Sequence, residues 1–235
     1  MHSPFRTLLL AGTLGALASS LAPQALANTA ERTAAFAKLP DWSGVWKVEG
    51  QTDTFDPSGK APPYNPEWAA AYAARRKTAT SREDTMVRQC MAGVPRLMAT
   101  PATFMVMVTP EETLLHFSRR EIRHLWTDGR DHPPADELWP FTWADSIARW
   151  EGQVLVVDTI SNKGDLWIDS TGAKLSDKAH ITERISMPDK RHLRDELVIE
   201  DPVAFTSSWT VTRSYVRTSL KELPEQQCNP PQARQ

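Results

Sequence analysis

Asp128-Gly129-Arg130-Asp131-His132-Pro133 gathers two carboxylates, a guanidinium and an imidazole in one short segment. Asp-Gly marks a turn, and Gly129 suits a backbone position with positive φ. On a loop at the rim of a binding scaffold, Arg130 would clamp an anion and His132 would act as acid or base, with Asp128 beside them. In the alternative, the segment is an ordinary turn whose Asp and Arg satisfy nearby backbone groups. His180 is the second imidazole of interest. It alternates with Thr182 and Arg184 on one strand face, opposite Ile181, Ile185 and Met187. That face binds a ligand if it lines a cavity and is ordinary solvated strand if it looks outward; alternation does not distinguish the two. Glu183 stands out as an acid on the apolar side.

A turn at Glu151-Gly152 joins the strands Ser146–Trp150 and Gln153–Thr159. If Trp150 pairs with Gln153, Asp145 lies opposite Asp158, with Arg149 on the same face. Facing carboxylates repel unless one is protonated or a cation intervenes. Such a pair could do acid–base work; in the alternative the strands splay before Asp145. Arg149 and Arg184, with Trp126 and Trp150, are candidate ligand contacts. The chain has 9 tryptophans, most of them at strand ends or in loops. Trp suits sites with an apolar body and a wet tip, and it also fills wide barrels.

No metal site is expected. His116, His124 and His132 recur at a spacing that matches no compact ligand motif. Met98, Met105 and Met107 read as core filler rather than copper ligands. No cofactor is expected either, since no phosphate-binding loop, dinucleotide fingerprint, nucleophile elbow or zinc-protease helix motif occurs.

The elements that must position these groups are mostly strands. Gly44–Glu49, Phe104–Val108, Thr113–Phe117, Glu121–Trp126, the two strands above, His180–Met187, Leu193–Glu200 and Trp209–Arg217 show strand length or period-two alternation. Most neighbours are joined by short turns, which predicts an all-β antiparallel meander. Closing it into a barrel removes the exposed edges. Trp209, Val211, Arg213, Tyr215 and Arg217 share the larger face of the last strand and are expected to look inward. One helix is predicted at about 66–77, with Asn65 as N-cap, Pro66 at the first position and Glu67 at the positive end. Residues 50–100 form a loop-and-helix insertion in one domain spanning 28–235, and 218–235 a C-terminal tail.

The formal net charge of −2 offers no electrostatic footprint for nucleic acid. Residues 1–27 read as a signal peptide: Arg6, an apolar run over Leu8–Leu21, and an Ala25-Leu26-Ala27 cleavage site. The product is expected to be periplasmic or secreted, with no membrane insertion after cleavage. An oxidising compartment also favours a Cys90–Cys228 disulfide over two free thiols.

Trp42-Ser43-Gly44-Val45-Trp46 resembles the G-x-W signature of lipocalins and their calycin relatives. The resemblance implies that Trp46 closes the barrel floor and that a last-strand arginine, Arg213, packs across it. Val94-Pro95-Arg96-Leu97-Met98, the Asp128–Pro133 segment, Arg149-Trp150-Glu151-Gly152 with Leu155–Thr159, His180–Arg184 and Glu200-Asp201-Pro202 are together similar to the landmarks of a family of exported bacterial proteins of unassigned role. That similarity implies no activity.

Two functions remain in play. The first is an exported barrel that binds a small apolar or aromatic molecule. The second is a cofactor-independent enzyme (a lyase, isomerase or hydrolase) using His132, Asp128, Arg130 and His180. The enzyme gains if the two imidazoles approach within about 7 Å across an enclosed pocket. The oligomeric state is left open.

Overall fold

The computed structural model describes residues 29–50, 52–78, 92–164 and 166–225. The signal-peptide segment, Cys90 and Cys228 lie outside the described residues. Nine strands, β1 (Val45–Val48), β2 (Phe104–Val108), β3 (Glu112–Phe117), β4 (Ile122–Trp126), β5 (Asp145–Glu151), β6 (Val154–Ile160), β7 (His180–Asp189), β8 (His192–Glu200) and β9 (Trp209–Arg217), form one closed barrel in chain order. β9 returns to pair with β1, so no edge strand is left open. The expected all-β barrel is therefore the observed fold. Among the described residues two α-helices accompany it, α1 (Thr29–Phe36), outside the sequence expectation, and α2 (Pro66–Thr78), with a 3-10 turn at Arg96–Ala99. The carboxamide of Asn65 accepts the Trp68 N–H at 3.0 Å, so α2 starts where its cap predicts.

The meander is interrupted once. β4 and β5 run parallel and share a single pair, Trp126 with Ile147. The connection across residues 127–144 is too long for a hairpin and carries the chain back before β5 begins. The β5–β6 hairpin also differs from expectation. Glu151 pairs with Val154, so the two turn residues are Gly152 and Gln153 rather than Glu151 and Gly152. Gly152 takes φ +64, the left-handed conformation that the first position of such a turn demands. Asp145 then lies opposite Ile160, and Asp158 opposite Ile147. The two acids are diagonal neighbours on the outer face, not direct partners.

Inward-facing side chains build two apolar layers. One contains Trp46, Phe104, Phe117, Leu155, Ile185, Leu193 and Tyr215. The other contains Phe55, Ile181, Leu197, Trp209 and Val211, with α2 contributing Tyr72. Phe55, Tyr64, Trp68 and Tyr72 of the insertion cover this second end. The Tyr72 hydroxyl meets the Thr171 hydroxyl at 2.6 Å, and Arg75 donates to the Gly172 carbonyl at 2.9 Å. Between the layers, each of three strands carries a charged residue: Glu183 between Ile185 and Ile181, Asp195 between Leu193 and Leu197, Arg213 between Tyr215 and Val211. The barrel therefore has a belt of charge in its interior, all three residues being fully buried.

Candidate functional site

The long crossover delivers His132 to the outer wall of the barrel. Its Nδ1 hydrogen-bonds Asp145 on β5, and its Nε2 lies 3.2 Å from Asp158 Oδ1 on β6. His180 on β7 brings its Nε2 to 2.8 Å from the same Asp158 oxygen. Its Nδ1 faces Glu200 on β8 at 3.9 Å. Five side chains from four strands and a loop thus form one line: Asp145, His132, Asp158, His180, Glu200. The group that separates the two Asp carboxylates is the His132 imidazole, not Arg149. The two imidazoles do come together, but on the outer wall beside an open depression rather than across an enclosed interior. That depression, about 280 Å³, is walled by Ala135, Leu138 and Pro140 of the crossover, with Ile160, Ala179 and His180. Among the described residues, no group of three or more His, Cys, Asp or Glu side chains is arranged to hold a metal ion.

Asp128 and Arg130 do not join this line. The Arg130 guanidinium grips the Asp128 carboxylate, with Nε 2.9 and 3.0 Å from its two oxygens, and its central carbon lies 3.9 Å from the Trp126 ring centroid. The bond to Arg130 holds the Asp128 carboxyl below its usual range. Trp126 also stacks on His124, with ring centroids 5.3 Å apart, so it faces outward in a local cation–aromatic stack.

Arg149 and Arg184 converge on Glu151 at the β5–β6 turn. Arg149 donates at 2.8 and 3.1 Å, and Arg184 at 2.9 Å. Both arginines are exposed, and exposed pairs of this kind contribute little. Arg184→Ala and Arg149→Ala are each expected to leave the thermal midpoint within about 2 °C of the native value in a circular-dichroism melt. Trp150 behaves differently: it turns inward and meets Trp42 edge-on, ring centroids 5.1 Å apart.

Trp46 lies fully buried, its indole N–H donating to the Trp42 carbonyl at 2.9 Å. The guanidinium over its face is Arg217, 4.6 Å from the ring centroid, and not Arg213. Trp46 pairs with Arg217 across the β1–β9 closure, which leaves Arg213 four residues deeper in the barrel. There Arg213 donates to the Thr54 and Phe55 carbonyls and ties the insertion to the interior. Gly44 takes φ +113 just before β1, the backbone bend that lets Trp46 turn under Arg217. Arg217→Ala is expected to cost about 1 kcal/mol in urea unfolding, with Arg217→Lys restoring only part because it lacks the planar stack.

The interior belt was only partly visible in the sequence. Arg123 donates to both Glu183 oxygens, one at 3.0 Å, and reaches Thr159 Oγ1 at 3.2 Å. Burial opposes its charge, but the facing Glu183 carboxylate outweighs that and keeps the guanidinium protonated. Asp195 has no donor facing either carboxyl oxygen. Burial drives its carboxyl well above the usual range, the Glu183 charge adds to this, and Arg123 opposes it. The two acids can hydrogen-bond only if one carries a proton. Arg123 and Asp195 obey the same alternation as their apolar neighbours Leu125, Leu193 and Leu197; a charge on an inward face is the signal that finds them.

A largely apolar cavity of about 430 Å³ opens at the other side of the Trp42 segment. Phe36, Leu39, Pro40 and Trp42 form one wall and the β2 residues Val106–Val108 the other. Its charged lining group is Asp41, whose carboxyl is held below the usual range by hydrogen bonds from Ser43. Phe36 and Met107 stand exposed at its mouth.

Fold and sites together define a closed, nine-stranded β-barrel with an ionic belt inside, an acid–imidazole line outside and an apolar cavity beside the first strand. No family model matches the chain, and no curated protein matches it. Three chains of solved structures do. One is a crystal structure of a mutant of the fluorescent protein UnaG, 12% identical, covering 76% of this chain and 97% of that one with a TM-score of 0.32.

Proposed function

We propose that the protein is an exported barrel that binds a small molecule with an apolar or aromatic body. The observation that carries this is the apolar cavity between the Phe36–Ser43 segment and β2. At about 430 Å³ it falls in the size range of small-molecule sites, and its lining matches their mostly apolar character. The ionised Asp41 disfavours a ligand whose anionic end would lie beside it. Export is supported by the pattern of residues 1–27, and by the resemblance of the landmark segments to an exported family.

Binding is tested by titrating the protein with an uncharged naphthalene dye and following dye and tryptophan fluorescence together. Saturable binding is expected. Met107→Glu and Phe36→Ala should each weaken it about tenfold or more, because each removes apolar contact worth about 1.5–3 kcal/mol when fully buried. Absence of saturable binding by any apolar or aromatic probe overturns the proposal. Export is tested separately, by N-terminal sequencing of protein recovered from outside the cytoplasm; the mature chain should begin at Asn28. The acid–base alternative has one observation in its favour, the meeting of His132 and His180 on Asp158. It predicts that Asp158→Asn abolishes an activity, whereas the binding reading predicts unchanged dye affinity in that variant.

A further inference from the structure

The geometry points to the 127–144 crossover as a pH-sensitive strap, closed when the His132 imidazolium donates to Asp145 and Asp158 at once. Ionised carboxylates only accept hydrogen bonds, so a ring held between two of them must donate from both nitrogens. Only the imidazolium has two N–H groups. The neutral ring keeps one and faces the other carboxylate with a lone pair, turning an attraction into a repulsion.

Every neighbouring element adds charge to the same line. β5 supplies Asp145 and β6 supplies Asp158. β7 supplies His180, which competes for the same Asp158 oxygen, and β8 supplies Glu200 behind it. The crossover itself carries Asp128, Asp131, Asp136 and Glu137 with Arg130, the last close enough to feel Asp145, and Asp177 and Lys178 line the depression beside His180. Three carboxylates thus share two imidazoles along the line, and each proton lost from a ring leaves acids facing one another without a cation.

The position of this clasp gives it consequences. The crossover is anchored at its start by Thr127, which donates to the Glu111 and Pro110 carbonyls, and at its end by Phe141, which donates to Ser161. Between those anchors, His132 supplies the hydrogen bonds to β5 and β6. The crossover bridges a sparse seam of the barrel, where β4 and β5 share one pair while β3–β4 share five and β5–β6 seven. It also provides Ala135, Leu138 and Pro140, one wall of the depression beside His180. Opening the strap takes that wall away.

Amide hydrogen exchange tests this on the native chain. The Glu137 amide, bonded to the Pro134 carbonyl at 2.8 Å, is followed at about pH 5.5 and about pH 8.5, either side of the ordinary histidine range. After correction for intrinsic exchange, protection is expected to fall about tenfold or more at the higher pH, while β7 and β8 amides hold theirs. His132→Gln should show the low protection at both values. Asp145→Asn, which leaves the ring tied to Asp158, should show a smaller drop than the native chain and decides the matter if His132→Gln does not fold. Equal protection at the two pH values in the native chain overturns the strap. So does a full native drop in either variant.

Discussion

Arg123→Met is expected to destabilise the barrel by about 3–5 kcal/mol in urea unfolding, the largest effect of any single substitution considered. The cost is not the lost attraction alone. Glu183 is fully buried, and without the guanidinium it is left as a buried charge near a second acid, Asp195. Ser146 and Thr159, which meet at 2.9 Å beside Arg123, offer hydroxyls but no compensating charge. Replacing both partners, Arg123→Met with Glu183→Leu, is expected to recover most of the loss, since a well-packed apolar pair removes two desolvation costs together. A single-variant loss below about 1 kcal/mol would sink this account, because Glu183 would then have found another partner.

Asp195→Asn is expected to do the opposite and stabilise the fold, by about 1–3 kcal/mol near pH 8. Burial raises the Asp195 carboxyl well above its usual range, so the folded chain keeps a proton that the unfolded chain releases above about pH 4. Stability from such a group is complete below that pH and is lost as pH rises toward the folded value. An amide at this place does not titrate and donates an N–H to Glu183 at every pH. The advantage of the variant should therefore grow from about pH 4 to about pH 8 in urea melts read by circular dichroism. A pH-independent difference would show that Asp195 carries no extra proton in the folded barrel.

These two residues also mark how far local pattern reaches. Glu183 is conspicuous in the sequence because it interrupts an apolar face, and Arg213 because it sits on the inward face of the last strand. Arg123 and Asp195 follow the same rule and could be found the same way. What alternation does not contain is the pairing. Arg213 and Arg217 lie on one face of β9, and either satisfies the expected arginine over Trp46. The choice rests on the β1–β9 register, Trp46 against Arg217, a contact between the two ends of the barrel. The outer acid line shows the same division. Asp145, Asp158, His132 and His180 are each recognisable as reactive residues. A one-residue difference in which positions form the β5–β6 turn moved Asp145 off Asp158 and opened the diagonal gap that His132 fills.

By itself the sequence determined the number of strands, most of their limits, the start of α2 and the inward face of the last strand. These follow from backbone alternation, turn residues and caps, which act over a few residues. Only the tertiary structure decided that β4 and β5 run parallel, that Arg217 covers Trp46, and that Arg123 meets Glu183. It alone strung two imidazoles and three carboxylates into one line. Such contacts join residues far apart in the chain, and closure of the whole sheet sets them: each register must satisfy the packing of every other strand at once.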